Sequence, residues 1–307
     1  MSRVAIIGCG VVGSSWALVF ARAGHAVVVH DPSPDAAKGT LAFVKASLEG
    51  NPHAGTILSR IATAGTLEEA VAGADYVQES APERLPIKQA LYAQLDRLVA
   101  PGVVIGSSTS GLPASSFTEA LATRERCLVV HPINPPHLIP LVELVPAPWT
   151  SAEALDTAGN LMTAVGQAPI RLSREINGFV VNRLQSALLG EAFRLVEDGI
   201  VSAGDVDKAV ADGLGLRWFF MGPFETIDLN AATGVAEYCR NLGPMYYGLA
   251  KEQADPREWS APLVGTIEAE RRQATAASAL PERRLWRDRW LDALVATKAR
   301  LREELGR

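Results

Sequence analysis

The sequence predicts an α/β domain built on a doubly wound, mostly parallel sheet, followed by an all-α domain. Three observations predict it. Short apolar and β-branched runs alternate with helical patterns through the first half, which is the signature of parallel strands joined by helices. A glycine-spaced turn follows the first run directly. After about residue 175 strand signals fade and helical periodicity takes over.

Taken in order, strands are expected at Val4–Ile7, Ala26–Val29, Arg60–Thr63, Asp75–Val77, Val103–Gly106, Arg126–Val130, Leu141–Val145 and Pro169–Leu172. These runs are not two-faced, as expected when helices cover both sides of a sheet. Helices are expected at Val11–Ala23, Asp35–Leu48, Leu67–Ala72, Ile87–Val99, Pro113–Leu121 and Ala152–Val165. The texture change divides the chain into domains of residues 1–175 and 176–307. In the second, a long helix through Leu188 and Val196 stops at Gly199, Ser202 caps the next, and Pro223 opens another. Near the end, Leu285, Trp286, Trp290, Ala293, Leu294 and Leu301 fall at helical spacing. That stripe packs onto its own domain or contributes to a dimer interface, and the two are compatible.

Composition narrows the function classes. The 307 residues carry a net charge of −5, with 48% hydrophobic and 21% charged residues. That is an ordinary globular balance and lacks the basicity of a nucleic-acid binder. No apolar run approaches the roughly 18 residues that span a membrane. MSRVAIIGCG enters a strand almost at once, leaving no room for a signal peptide. Cys9, Cys127 and Cys239 are scattered without metal-ligand spacing. No metal is expected, and a cytoplasmic, reducing compartment fits best.

Residues 8 to 13 read G-C-G-V-V-G. The pattern alone is weak, but here it follows a strand and opens a helix within a strand–helix–strand unit. Gly8 permits the tight turn, Gly10 lets backbone approach a pyrophosphate, and Gly13 lets helix pack on strand. Asp31 ends the second strand, where a carboxylate accepts ribose hydroxyls and repels a 2′-phosphate. The sequence therefore predicts a Rossmann-like domain that binds NAD rather than NADP.

The stretch HPINPPHLIPLVELV, residues 131 to 145, ends one strand in His131 and places Glu143 inside the next. A buried charge there is costly without a partner. Histidine titrates near neutrality and suits removal of a hydroxyl proton. A carboxylate on its other ring nitrogen would fix the tautomer and stabilise the imidazolium. A buried His–Glu pair without chemistry is the alternative. S-S-T-S at 107–110 follows a neighbouring strand, at the edge where open parallel sheets bind ligands.

S-S-T-S at 107–110, H-P-x-N-P at 131–135, the glutamate of LVELV and G-F-V-V-N-R at 178–183 together resemble the L-3-hydroxyacyl-CoA dehydrogenases. The similarity covers most of the chain. It implies a Rossmann domain followed by a helical domain that forms a homodimer. It implies His131 as general base, Glu143 as its partner, and Ser110 and Asn182 as holders of the substrate oxygen. Further cofactor contacts would fall on Glu83, Lys88 and Asn134. INGFVVNRLQ, EAFRLVEDGIVS, DGLGLRWFFMGPFET and RRLWRD resemble the lambda-crystallin or L-gulonate 3-dehydrogenase branch, and L-carnitine dehydrogenases share parts of the pattern. This implies a small hydroxy-acid substrate, oxidised at its 3-hydroxyl.

Arg217, in DGLGLRWFFMGPFE, departs from the acyl-CoA pattern. A guanidinium fork binds a carboxylate in bidentate fashion. Arg217 is therefore a candidate anchor for a free acid, and equally a surface or interdomain salt bridge. Trp218, Phe219 and Phe220 beside it read as core, or as a cage for a quaternary ammonium.

Overall fold

A computed structural model describes residues 2–306. It divides into two compact units, one running to Val181 and the other beginning at Asn182.

The first unit holds one sheet of eight strands: β1 (Arg3–Ile7), β2 (Ala26–His30), β3 (Ile61–Thr63), β4 (Tyr76–Glu79), β5 (Val104–Ser107), β6 (Cys127–Pro132), β7 (Leu141–Pro146) and β8 (Ala168–Arg171). Their order is β3-β2-β1-β4-β5-β6-β7-β8. The chain begins near the middle, winds to one edge, then restarts beside β1 at β4 and winds to the other. That reversal at β1 and β4 is the switch point where such sheets bind ligands beyond their carboxyl ends. All neighbours are parallel except β6 and β7, which are antiparallel.

The connecting helices are α1 (Val11–Arg22), α2 (Pro34–Ser47), α3 (Ala54–Leu58), α4 (Leu67–Val71), α5 (Leu85–Leu98), α6 (Ser115–Thr118) and α7 (Ala152–Ala164). Strand β1 explains the continuous apolar runs. Successive side chains leave opposite faces of a strand. Val4 and Ile6 join one cluster with Trp16, Phe20 and Met162, while Ala5 and Ile7 join another with Tyr92, Leu95 and Phe117. Both faces are thus core, and each large side chain so buried contributes about 1.5–3 kcal/mol. Thr66 and Glu69 form a reciprocal capping box on α4, and Ser151 caps α7.

The second unit is helical, with α8 (Val181–Glu197), α9 (Ala203–Lys208), α10 (Gly215–Trp218), α11 (Pro223–Asp228), α12 (Val235–Glu252), α13 (Ala261–Ala274) and α14 (Leu280–Leu305). A π-helical turn, Ala209–Leu214, links α9 to α10. Ser202 accepts the Asp205 amide, as its spacing predicts. Among the described residues of this unit only Ala203, Thr226 and Leu263 are buried. The α14 stripe packs onto its own unit only in part: Leu301 lines a cavity with Phe219, while Leu285 is 59% and Trp290 54% exposed. Among the described residues no helix is long and apolar enough to cross a membrane.

Candidate active site

The three glycines of the first turn have three different physical reasons. Gly8 has φ +99°, and a Cβ there would lie 2.5 Å from the Ser80 carbonyl oxygen. A Cβ on Gly13 would lie 1.8 Å from the Gly8 oxygen, so this glycine lets the helix meet the turn. A Cβ on Gly10 would meet nothing within 4 Å, so this backbone faces open space. Gly10 is also the N-cap of α1, and no side chain caps it, which leaves helix amides to a phosphate.

Asp31 accepts the Cys9 amide at 2.9 Å and the Ser33 amide at 2.9 Å. It lines a cavity of about 490 Å³ with Gly8, Pro32, Leu67, Ala81 and Ile87. An apolar slot with a carboxylate at its rim fits an adenosine with free ribose hydroxyls. Burial, with a smaller push from Asp31 and an opposing hydrogen bond from Thr40, raises the Cys9 thiol to about 11. The thiol therefore adds no charge beside the phosphate position.

His131 and Glu143 are brought together by register. Because β6 and β7 are antiparallel, His131 stands directly opposite Glu143. Directly opposite side chains share a face. Nδ1 of His131 lies 2.7 Å from Oε2 of Glu143, and both residues are buried. The other carboxylate oxygen accepts the amides of Val180 at 2.8 Å and Val181 at 3.1 Å. The G-F-V-V segment reaches it by a left-handed turn, with Gly178 at φ 73° and Phe179 at φ 50°. A non-glycine residue there costs roughly 1–2 kcal/mol. The Phe179 ring packs 5.4 Å from the His131 ring. Burial alone would raise Glu143; hydrogen bonds from His131, Val180 and Val181 outweigh it, and its carboxyl titrates below the ordinary value. An ionised carboxylate only accepts, so Nδ1 carries the proton and Nε2 is left as the basic nitrogen.

The S-S-T-S turn is braced from below and above. Ser108 accepts hydrogen bonds from Trp16 Nε1 at 3.1 Å and Gln78 Nε2 at 2.8 Å. Oε1 of Glu83 lies 2.5 Å from the Thr109 hydroxyl and 3.2 Å from the amides of Ser110 and Gly111. Lys88 is fully buried, and its ammonium meets Glu79 at 2.8 and 2.9 Å. In this conformation it presents no surface to a cofactor. Asn134 is exposed in the loop between β6 and β7. That loop is tied to α1 by His137, 3.0 Å from the Ser15 hydroxyl. Glu79, Gln78 and His137 were not singled out from sequence. The first two end β4, and the rule that ligand sites lie at carboxyl strand ends would have flagged them.

Asn182 follows Val181 in the chain and lies in the first turn of α8. Arg217 is exposed on α10, one residue before Trp218 at 41% exposure. Phe220 is 61% exposed, whereas Phe219 is half-buried with the Lys298 ammonium 5.2 Å from its ring. In the same unit the hydroxyls of Tyr238 and Tyr246 lie 2.9 Å apart. That hydrogen bond raises the Tyr238 phenol, while the nearby Arg217 charge pulls it down. Among the described residues no group of His, Cys, Asp and Glu could hold a metal ion.

The NAD binding domain model of 3-hydroxyacyl-CoA dehydrogenase matches residues 3–176, and the C-terminal domain model matches residues 178–274. The chain belongs to the 3-hydroxyacyl-CoA dehydrogenase family. It is 40% identical to lambda-crystallin of Oryctolagus cuniculus, over 98% of each chain. It is 39% identical to L-carnitine dehydrogenase of Streptomyces coelicolor, over 87% of each. The solved structure of 5-formyl-3-hydroxy-2-methylpyridine 4-carboxylic acid 5-dehydrogenase, an NAD+-dependent dismutase, superposes with a TM-score of 0.83 at 26% identity. That match covers 97% of this chain and 99% of the other. This dehydrogenase thus binds NAD in its first unit and is an NAD-dependent oxidoreductase acting on a CH–OH group of a hydroxy acid or hydroxyacyl substrate.

Proposed function

We propose that this protein oxidises the 3-hydroxyl of a small free 3-hydroxy carboxylic acid, of the L-gulonate type, with His131 as the general base. The observation that carries the chemistry is the buried 2.7 Å contact between His131 Nδ1 and Glu143. It leaves Nε2 to take the hydroxyl proton, and the Glu143 carboxylate then stabilises the imidazolium. Ser110 and Asn182 hold the substrate oxygen. Gly8, Gly10 and Gly13 admit the pyrophosphate, Asp31 the ribose, and Glu83 and Asn134 serve the cofactor side, with Lys88 behind Glu83 at 3.9 Å and reaching the cofactor only if it leaves its buried seat. When bound, NAD supplies the nicotinamide that accepts hydride from the carbinol carbon. The protein works in the cytoplasm as a homodimer. Among its described residues the helical unit buries only three, and a second copy would supply the missing apolar cover.

Arg217 supports the free acid over the thioester. An exposed guanidinium beside two tyrosine hydroxyls suits a carboxylate flanked by hydroxyls. The exposed aromatics near it also favour one second reading, a quaternary ammonium acid such as L-carnitine. NADH formation measured with L-gulonate, L-carnitine, 3-hydroxybutyrate and 3-hydroxybutyryl-CoA decides among them. Arg217→Met should raise KM for the free acid roughly 10- to 150-fold, the equivalent of about 1.5–3 kcal/mol for a charged hydrogen bond. An unchanged KM, or exclusive use of the CoA ester, overturns the proposal.

A further inference from the structure

We propose that Ser80 is a cofactor-binding residue whose hydroxyl donates to an oxygen of the ribose that carries the nicotinamide. This rests on the reading of Asp31 and the glycine turn as the cofactor side, and not on the choice of substrate.

Ser80 is the first residue beyond β4, at the switch point of the sheet. Its amide donates to the Ile7 carbonyl at 2.7 Å. Its carbonyl oxygen lies 2.5 Å from the place of a Cβ on Gly8, and its own Cβ 3.4 Å from the place of a Cβ on Gly13. The residue thus sits against the glycine turn, and it is partly exposed.

The direction of its hydroxyl follows from its neighbours. Burial pushes the Tyr76 phenol up, so it keeps its proton, and it donates to Gln78 Oε1 at 2.6 Å. Gln78 Nε2 lies 2.8 Å from Ser108 Oγ and 3.4 Å from the Val130 carbonyl, an acceptor that fixes which end of the amide is nitrogen. Trp16 Nε1, which only donates, meets the same Ser108 oxygen at 3.1 Å. A hydroxyl oxygen accepts two hydrogen bonds, so these two donors fill Ser108. Its proton therefore goes to its third neighbour, Ser80 Oγ, 2.9 Å away. Ser80 receives that proton's hydrogen bond, and its own proton is left for an acceptor outside the network. Hydrogen bonds that all run one way along a chain also strengthen the last donor.

Strand order says what that acceptor is. Asp31 lies beyond β2 and meets the adenosine ribose, and the glycine turn lies beyond β1 and meets the pyrophosphate. The next strand is β4, about 4.8 Å further on, and the next group along the cofactor is the second ribose. His131 on β6 is two strands beyond Ser80, roughly 10 Å away, so the substrate hydroxyl is out of its reach.

Ser80→Ala keeps the Cβ and removes only the hydroxyl. Calorimetric titration of the full chain with NADH, ADP-ribose and ADP reads binding without turnover. ADP-ribose carries the second ribose without the nicotinamide, and ADP ends at the pyrophosphate. The dissociation constants of NADH and ADP-ribose should rise together, roughly 2- to 12-fold, the loss of one neutral hydrogen bond. That of ADP should not change. If all three are unchanged, the hydroxyl meets only water and the proposal is overturned. An equal loss on all three assigns Ser80 to the pyrophosphate or to the shape of the turn, and a loss on NADH alone assigns it to the nicotinamide; either overturns the ribose contact. If wild type fails to bind ADP at all, the cofactor-side reading itself fails and the proposal with it.

Discussion

His131 and Glu143 are twelve residues apart in the chain and 2.7 Å apart in space, because they face each other across the one antiparallel pairing in the sheet. A parallel β7 would have displaced the carboxylate from the imidazole. The direction of one strand therefore sets whether this protein holds a buried His–Glu pair.

Replacing the base gives the most direct prediction. His131→Gln should lower kcat by about 10² to 10⁴-fold, the usual contribution of a positioned proton acceptor. NAD should still bind, because the cofactor turn lies at β1 and α1. Steady-state rates and cofactor titration measure both. Turnover within about tenfold of wild type rules out His131 as the base.

Glu143 predicts a pH dependence of stability. Burial would raise its folded carboxyl, but the bonds from His131, Val180 and Val181 outweigh burial and hold it below the ordinary 4.5. It therefore stabilises the fold fully above about 4.5, and that contribution is lost as pH falls through the lowered value. Denaturation of wild type and Glu143→Gln across acid pH should show a stability gap that closes below about 4.5. A gap constant with pH contradicts the assignment.

The place of Asp31 at the rim of the cavity beside Gly8 predicts a cofactor preference. Asp31→Ser removes the charge that repels a 2′-phosphate, and the ratio of kcat/KM for NADP over NAD should rise roughly tenfold or more. The amides of Cys9 and Ser33 lose their acceptor, so stability should fall by about 1–2 kcal/mol. An unchanged ratio means that another group excludes NADP.

Gly10 and Gly13 should fail in opposite ways. A Cβ at Gly13 collides with the Gly8 carbonyl at 1.8 Å, so Gly13→Ala should destabilise the fold by about 1–3 kcal/mol or more. A Cβ at Gly10 meets no protein atom within 4 Å. Gly10→Ala should keep stability within about 0.5 kcal/mol and raise KM for NAD roughly tenfold. Denaturation and cofactor kinetics on the two variants check the split. Equal loss of stability in both would mean that the turn is purely structural.

The expected strands all appear, because continuous apolar runs between helical patterns have no other stable use. Helix α3 leaves no such signal: five residues, Ala54–Leu58, are too few for a periodicity to register. The α14 stripe is legible as apolar spacing, but not as an exposed surface. Lys88 is legible only as a cation within a motif. Its inward direction depends on Glu79, which a strand-end position marks but a run such as Y-V-Q-E-S does not.

By itself the sequence determined the doubly wound domain, the glycine turn with Asp31, and the residue types able to move a proton, because these depend on local pattern and on chemistry carried by single side chains. Only the tertiary structure decided that β7 runs antiparallel and puts Glu143 against His131. It alone decided that Phe179 takes a left-handed turn so that two amides reach the same carboxylate, and that Lys88 points into the core. Those outcomes depend on register, strand direction and burial, which arise from contacts between distant segments and leave no period in the chain.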